Sequence, residues 1–345
     1  MQIMLPNYIT GKYAVGTELF TVTDESRLEL LGNGTGNRRI AVRVYYPADP
    51  QAAGTERAPV FSEKKLAAVR KTYHVRKMPP ELLTADYHLD APHAAGRFPV
   101  VLFSHGYNGY VEGNTLLCCC LASEGYIVVS VGHAYEACEN DYSDGSDLYD
   151  RTINKRMYDS VFGALRDQRR LLRSKGTPQK LCKAFDEFQR KHCSFIMARV
   201  PEWGQDMLCA LRTLKLTYAD YADISRVAAA GQSLGGAASY WLCRNSEEIK
   251  CGVNIDGGVF GEYSGSSMKK PFLQISCEEN RNVATRPLLN TEAPVECEIF
   301  PAMKHIGFMD AKFFGLPGSI VGAMDGAEMF SRLSGCVREF LGKYL

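Results

Sequence analysis

With 345 residues, 46% of them hydrophobic and 23% charged, the chain is long enough to bury a substantial sheet-centred core as one domain spanning residues 1–345. Lys+Arg 40 against Asp+Glu 39 gives a formal charge of +1, so overall charge offers no ground for nucleic acid or an anionic membrane as partner. The twelve cysteines are scattered through apolar stretches and show no zinc-type or C-x-x-C spacing; they read as reduced thiols used for packing, and no metal is implied.

The first residues, Met-Gln-Ile-Met-Leu-Pro-Asn-Tyr, carry no basic segment followed by a sustained apolar one, and no apolar run is long enough to span a bilayer; a soluble, cytoplasmic protein is expected. Arg39 to Tyr46 alternates polar and apolar residues before Pro47, as a half-buried strand does. The stretch from Pro59 to Arg97 is a polar, partly helical connection without a motif. Phe98 to Ser104 is then a continuous apolar run, which suits a strand covered on both faces, and it ends at a glycine-bearing turn, His105-Gly-Tyr-Asn-Gly109. A helical stretch from Asn114 to Glu124 and an apolar strand from Tyr126 to Val131 complete a crossover unit.

Residues 134–199 interrupt this rhythm with a charged, largely helical insertion, a candidate cap. Alternation resumes with a helix from Gly204 to Leu216, a strand from Val227 to Ala230 and a helix from Ala237 to Arg244. Strands at Gly252–Ile255, Pro271–Ser276 and Glu296–Phe300 follow, with a closing helix from Glu328. Alternating elements of this kind predict an α/β fold with a mainly parallel sheet and helices on both faces.

The turn between the Val227 strand and the Ala237 helix reads Gly231-Gln-Ser233-Leu-Gly235-Gly236. Gly-x-Ser-x-Gly alone is a weak pattern, but four small strand residues before it and a helix after it supply the strand–turn–helix setting of a nucleophile elbow. A serine hydroxyl needs a histidine base and a carboxylate to orient that base. In this elbow type the chain order is serine, acid, histidine, and only His305 among the seven histidines follows Ser233. For the acid, the spacing leaves Asp256, at the end of one strand, and Glu278 or Glu279, at the end of the next, as alternatives. The oxyanion donors expected are the N–H of Leu234, directly after the serine, and that of Tyr107 in the 105–109 turn. His105 precedes the serine and reads as a residue that holds its loop. His133, ending a strand near the site, reads as packing behind it.

Together, the Phe98-Pro-Val-Val-Leu-Phe-Ser-His-Gly run, Ile127-Val-Val-Ser-Val-Gly-His133, the elbow, Asn254-Ile-Asp-Gly and His305 resemble the platelet-activating-factor acetylhydrolase type II-like branch of the α/β-hydrolases. Tyr13-Ala-Val-Gly-Thr and Val42-Arg-Val-Tyr-Tyr-Pro47 resemble that branch's opening, so the similarity spans most of the chain. The resemblance implies an α/β-hydrolase fold and a serine carboxylic-ester hydrolase without cofactor. It places the acid at the end of the strand after the elbow helix, at Asp256. Related cutinase-like and chlorophyllase-like enzymes carry an aspartate after the following strand, where this chain has Asn280; an amide cannot compensate an imidazolium charge. Gln232 stands where the branch frequently has histidine. The expected substrate is a small-molecule or lipid-like ester. The competing readings are an amidase or peptidase using the same triad and a non-catalytic binding protein on the same fold.

Overall fold

A computed structural model describes residues 3–32, 34, 36–51, 59–74, 83–281, 288 and 290–345. Its centre is a nine-stranded sheet, in the spatial order β13-β12-β11-β10-β6-β7-β3-β2-β5. These strands are β2 (Ala14–Leu28), β3 (Asn37–Ala48), β5 (His88–Leu89), β6 (Phe98–Ser104), β7 (Ile127–Val131), β10 (Ala222–Gln232), β11 (Ile249–Ile255), β12 (Phe272–Cys277) and β13 (Val295–Phe300). From β13 across to β7 every neighbouring pair is parallel, and β3 then joins antiparallel to both β7 and β2. Two short pairs stand outside it: β1 (Ile3–Met4) with β4 (Leu83–Thr84), and the hairpin β8 (Glu139–Tyr142)–β9 (Gly145–Leu148). The mainly parallel sheet expected from the alternation is present.

Strand periodicity divides the core. Val101 and Phe103 point to one face, packed beneath α1 (Glu63–Tyr73), α2 (Thr115–Ser123) and the C-terminal helix Gly326–Tyr344. Val100 and Leu102 point to the other, beneath α6 (Ser194–Thr217) and α7 (Leu234–Asn245). All nine residues of α2 are buried, including Cys118, Cys119 and Cys120. The twelve cysteines are free thiols, and the ten buried ones occupy the packing role expected of them, whereas Cys297 is exposed and Cys336 half-buried.

Two boundaries differ from the sequence reading. The helix expected from Gly204 begins at Ser194 and runs through Pro201, so Arg199 lies inside a continuous α6 instead of ending an insertion. Proline reads as a helix stop because it lacks an N–H, but the buried face built from Ile196, Val200, Trp203 and Met207 carries the helix across it. The expected insertion also opens with the β8–β9 hairpin before turning helical in α3 (Asn154–Phe162), α4 (Leu165–Arg173) and α5 (Pro178–His192). Of the polar connection between Pro59 and Arg97, residues 75–82 lie outside the described residues.

Candidate active site

Parallel strands deliver their C-terminal ends to one edge of the sheet, and the site is built there. Ser233 joins β10 directly to α7 with φ 57° and ψ −119°, a strained conformation for a residue with a side chain that costs of order 1–3 kcal/mol. The turn is held by the Ser233 N–H donating to Ile255 O at 2.9 Å. Gly235 is required by proximity: a Cβ there would lie 2.1 Å from the carbonyl oxygen of Ser104.

His305 begins a short 3-10 turn after β13, and its Nε2 lies 2.9 Å from Ser233 Oγ. Its Nδ1 lies 2.7 Å from Asp256 Oδ2. The carboxylate only accepts, so Nδ1 carries the proton and the Nε2 lone pair faces the serine hydroxyl. Asp256 follows β11, adopts φ 56° and is buried. It accepts hydrogen bonds from the Cys277 N–H at 2.7 Å, Asn280 Nδ2 at 2.9 Å and Cys277 Sγ at 3.4 Å. These donors are neutral, so the carboxylate charge remains available to an imidazolium forming beside it. Of the alternative acids, Glu278 faces Arg281 and Glu279 pairs with Lys304; both are exposed.

The loop after β6 approaches the serine without an intervening side chain, since a Cβ on Gly106 would stand 2.9 Å from Ser233 Cβ. This brings the backbone at Tyr107 beside Ser233. Among the described residues, neither the Tyr107 nor the Leu234 N–H donates to an acceptor within the protein. His105 is buried and donates from Nδ1 to Gly106 O at 2.6 Å; burial, reinforced by neighbouring His133, pushes its pKa down to about 3. It is therefore a neutral ring packed under the loop. Gln232 is buried alongside, with Nε2 3.4 Å from His305 Nε2.

Ser233, His305 and Asp256 open into a cavity of about 970 Å³. Its lining includes Tyr107, Leu234 and Phe260, and Met157, Leu172, Phe185, Phe188 and Ile196 from α3 to α6. Among the described residues no group of three or more His, Cys, Asp or Glu is arranged to hold a metal ion, and no helix is long and apolar enough to cross a membrane.

Residues 2–148 match the family model described as platelet-activating factor acetylhydrolase, isoform II. That stretch includes the loop carrying Tyr107. A platelet-activating factor acetylhydrolase from Gallus gallus is 23% identical over 254 residues, 65% of this chain and 57% of that protein, so the match takes in little more than half of the relative's length. A ferulic acid esterase from Streptomyces cinnamoneus superposes with a TM-score of 0.74 at 21% identity, covering 100% of this chain and 94% of that one. The chain has the fold of these esterases, and its first 148 residues are similar to the platelet-activating factor acetylhydrolases.

The residues singled out from the sequence, Ser233, Asp256, His305, Tyr107 and Leu234, all line this one cavity. Sequence reasoning missed what Asn280 does. It was read only as an amide in another branch's acid position, whereas its side chain donates to Asp256. The signal was available: β11 and β12 are adjacent and parallel, so a residue just past β12 stands beside one just past β11. The partners of His133 carry no motif. They are Ser104, at 2.8 Å from Nε2, and Asp206, at 2.8 Å from Nδ1.

Proposed function

We propose that this chain hydrolyses carboxylic esters by acyl transfer through Ser233. The observation that carries the reading is the hydrogen-bonded chain Ser233 Oγ, His305 Nε2, His305 Nδ1, Asp256 Oδ2 opening into an apolar cavity. Ser233 Oγ attacks the ester carbonyl while His305 Nε2 takes its proton, and Asp256 holds the ring and balances the imidazolium charge. The carbonyl oxygen becomes an oxyanion that receives the N–H groups of Tyr107 and Leu234. His305 then protonates the departing alkoxide, and water attacks the acyl-enzyme in the reverse sense to release the acid and restore the serine. No step calls on a cofactor.

The substrate is a small-molecule or lipid-like ester, a reading supported by the cavity's apolar walls and by the names of both relatives. The helices α3–α5 act as a cap over it, as their contribution to the lining supports. Ten buried free thiols support residence in a reducing compartment, the cytoplasm. The test is a series of p-nitrophenyl esters of increasing acyl length with matched p-nitroanilides. Turnover of esters and little of anilides is expected; anilide turnover matching or exceeding that of the esters would establish an amidase instead.

A further inference from the structure

Behind the oxyanion loop lies a second serine–histidine–aspartate chain. Ser104, the last residue of β6, lies 2.8 Å through Oγ from His133 Nε2, and His133 Nδ1 lies 2.8 Å from Asp206 Oδ2 on α6. Asp206 also accepts from Arg38 at 2.8 and 2.7 Å and from Arg27 at 2.6 Å, and against the cost of burial Arg38, with the His133 hydrogen bond, holds its carboxyl far below the usual range. An ionised Asp206 requires the proton on His133 Nδ1, which leaves Nε2 as an acceptor and makes Ser104 the donor. All three residues are 0% exposed, and none lines the cavity. No substrate reaches this serine, so the chain has no acyl-transfer chemistry of its own.

Its position gives it another use. The Ser104 carbonyl packs where a Cβ of Gly235 would fall, so the backbone of this relay touches the backbone of the nucleophile elbow. Three residues on, Tyr107 presents the N–H assigned to the oxyanion. The far end of the loop is tied down by the same neighbourhood: Asn108 N–H donates to Glu136 O at 2.8 Å, and Cys138 N–H donates to Gly109 O at 2.7 Å. The Glu136 side chain in turn holds Arg199 and the Trp203 indole, and Trp203 stacks on the His133 ring with centroids 3.8 Å apart. Tyr107 therefore sits between two anchored points, both fastened to the 133–138 turn and α6.

We propose that Ser104, His133 and Asp206 are positioning residues that set the register of the oxyanion loop against Ser233, acting on the transition state through the Tyr107 N–H. The inference rests on the acyl-transfer reading above. It gives the base of the segment inserted between β7 and β10 a catalytic consequence, because both anchors of the loop belong to it. Interior packing transmits a displacement of Ser104 instead of absorbing it, since no flexible side chain separates it from the elbow.

The test is Ser104→Ala, which removes one buried hydroxyl and leaves the His133–Asp206 pair intact. Active sites are counted with a fluorophosphonate, and kcat, KM, the thermal midpoint and inhibition by a trifluoromethyl ketone, which mimics the tetrahedral intermediate, are measured. A contact felt only in the transition state lowers kcat and kcat/KM together. We expect a loss of roughly tenfold in kcat per titrated site, smaller than the 10²–10³ that deletion of an oxyanion donor costs. A matching loss of ketone affinity with KM nearly unchanged should accompany it, and Ser104→Thr should restore both. Ser104→Cys, close to serine in size but a weaker donor, should fall between and serves if the alanine variant does not fold. A fall in thermal midpoint with kcat per titrated site unchanged would make the relay structural only and overturn the proposal. Wild-type protein that turned over no ester would instead remove the acyl-transfer reading itself.

Discussion

The molecule contains the same three side chains hydrogen-bonded in the same order twice, and nearly the same distances separate them. In the chain at the cavity these are 2.9 Å and 2.7 Å; in the chain behind the 105–109 loop both are 2.8 Å. What separates the two is their surroundings. The His305 side chain is 37% exposed and meets solvent and cavity, while that of His133 is 0% exposed and pinned by Trp203. Asp256 is held by neutral donors and keeps its charge for the imidazole, whereas Asp206 is engaged by two guanidiniums. Ser233 is strained at φ 57° on a turn facing the cavity; Ser104 ends a regular strand. A serine–histidine–aspartate chain is thus not in itself a catalytic feature. Access, backbone strain and an uncommitted carboxylate distinguish the proposed catalytic chain from the proposed strut.

The sharpest separation should come from removing each acid's charge. Asp256→Asn is expected to lower kcat by on the order of 10⁴, by imposing the wrong imidazole tautomer, while Glu278→Gln leaves kcat within a factor of about two. Asp206→Asn should lower kcat far less, roughly tenfold as expected of a relay member and below the cost of losing an oxyanion donor, and should add a large cost in stability. It leaves Arg38 and Arg27 partly uncompensated in the interior, and urea unfolding should register a loss of about 3–5 kcal/mol. Equal destabilisation by the two substitutions would erase the distinction.

Acid provides the next test. Burial lowers the pKa of both His105, to about 3, and His133, so each stays neutral in the folded protein below the pH at which it protonates in the unfolded chain. The unfolded state then binds more protons. Stability should therefore fall as pH drops below about 6.5, by roughly 1.4 kcal/mol per pH unit for each histidine, until the folded pKa is reached. His105→Gln should flatten this slope in thermal unfolding between pH 6.5 and 4; an unchanged slope would mean that His105 contributes none of it. The smallest effect expected is for Asn280→Ala, which removes one donor to Asp256 and should reduce kcat roughly tenfold with stability nearly intact.

Much of this was legible in the sequence because two periodicities and one turn motif are local. Apolar runs such as Phe98–Ser104 announced parallel strands, and Gly231 to Gly235 announced the elbow. The order of Ser233 and His305 along the chain leaves one candidate base, and it is the resemblance, more than spacing, that favours Asp256 over Glu278 or Glu279 as the candidate acid. The relay was not legible: Ser104, His133 and Asp206 come from two strand ends and a helix, and only the stacking of α6 on the sheet brings them together. The start of α6 lies before the Gly204 expected, because the burial that carries the helix across Pro201 is tertiary.

The central claim, that Ser233 is the reacting serine and Ser104 is not, is tested most directly by fluorophosphonate labelling followed by peptide mass mapping. The account predicts one adduct, on Ser233, with neither labelling nor ester turnover in Ser233→Ala and retained labelling in Ser104→Ala. An adduct on another residue, or ester turnover that survives in Ser233→Ala, would contradict it.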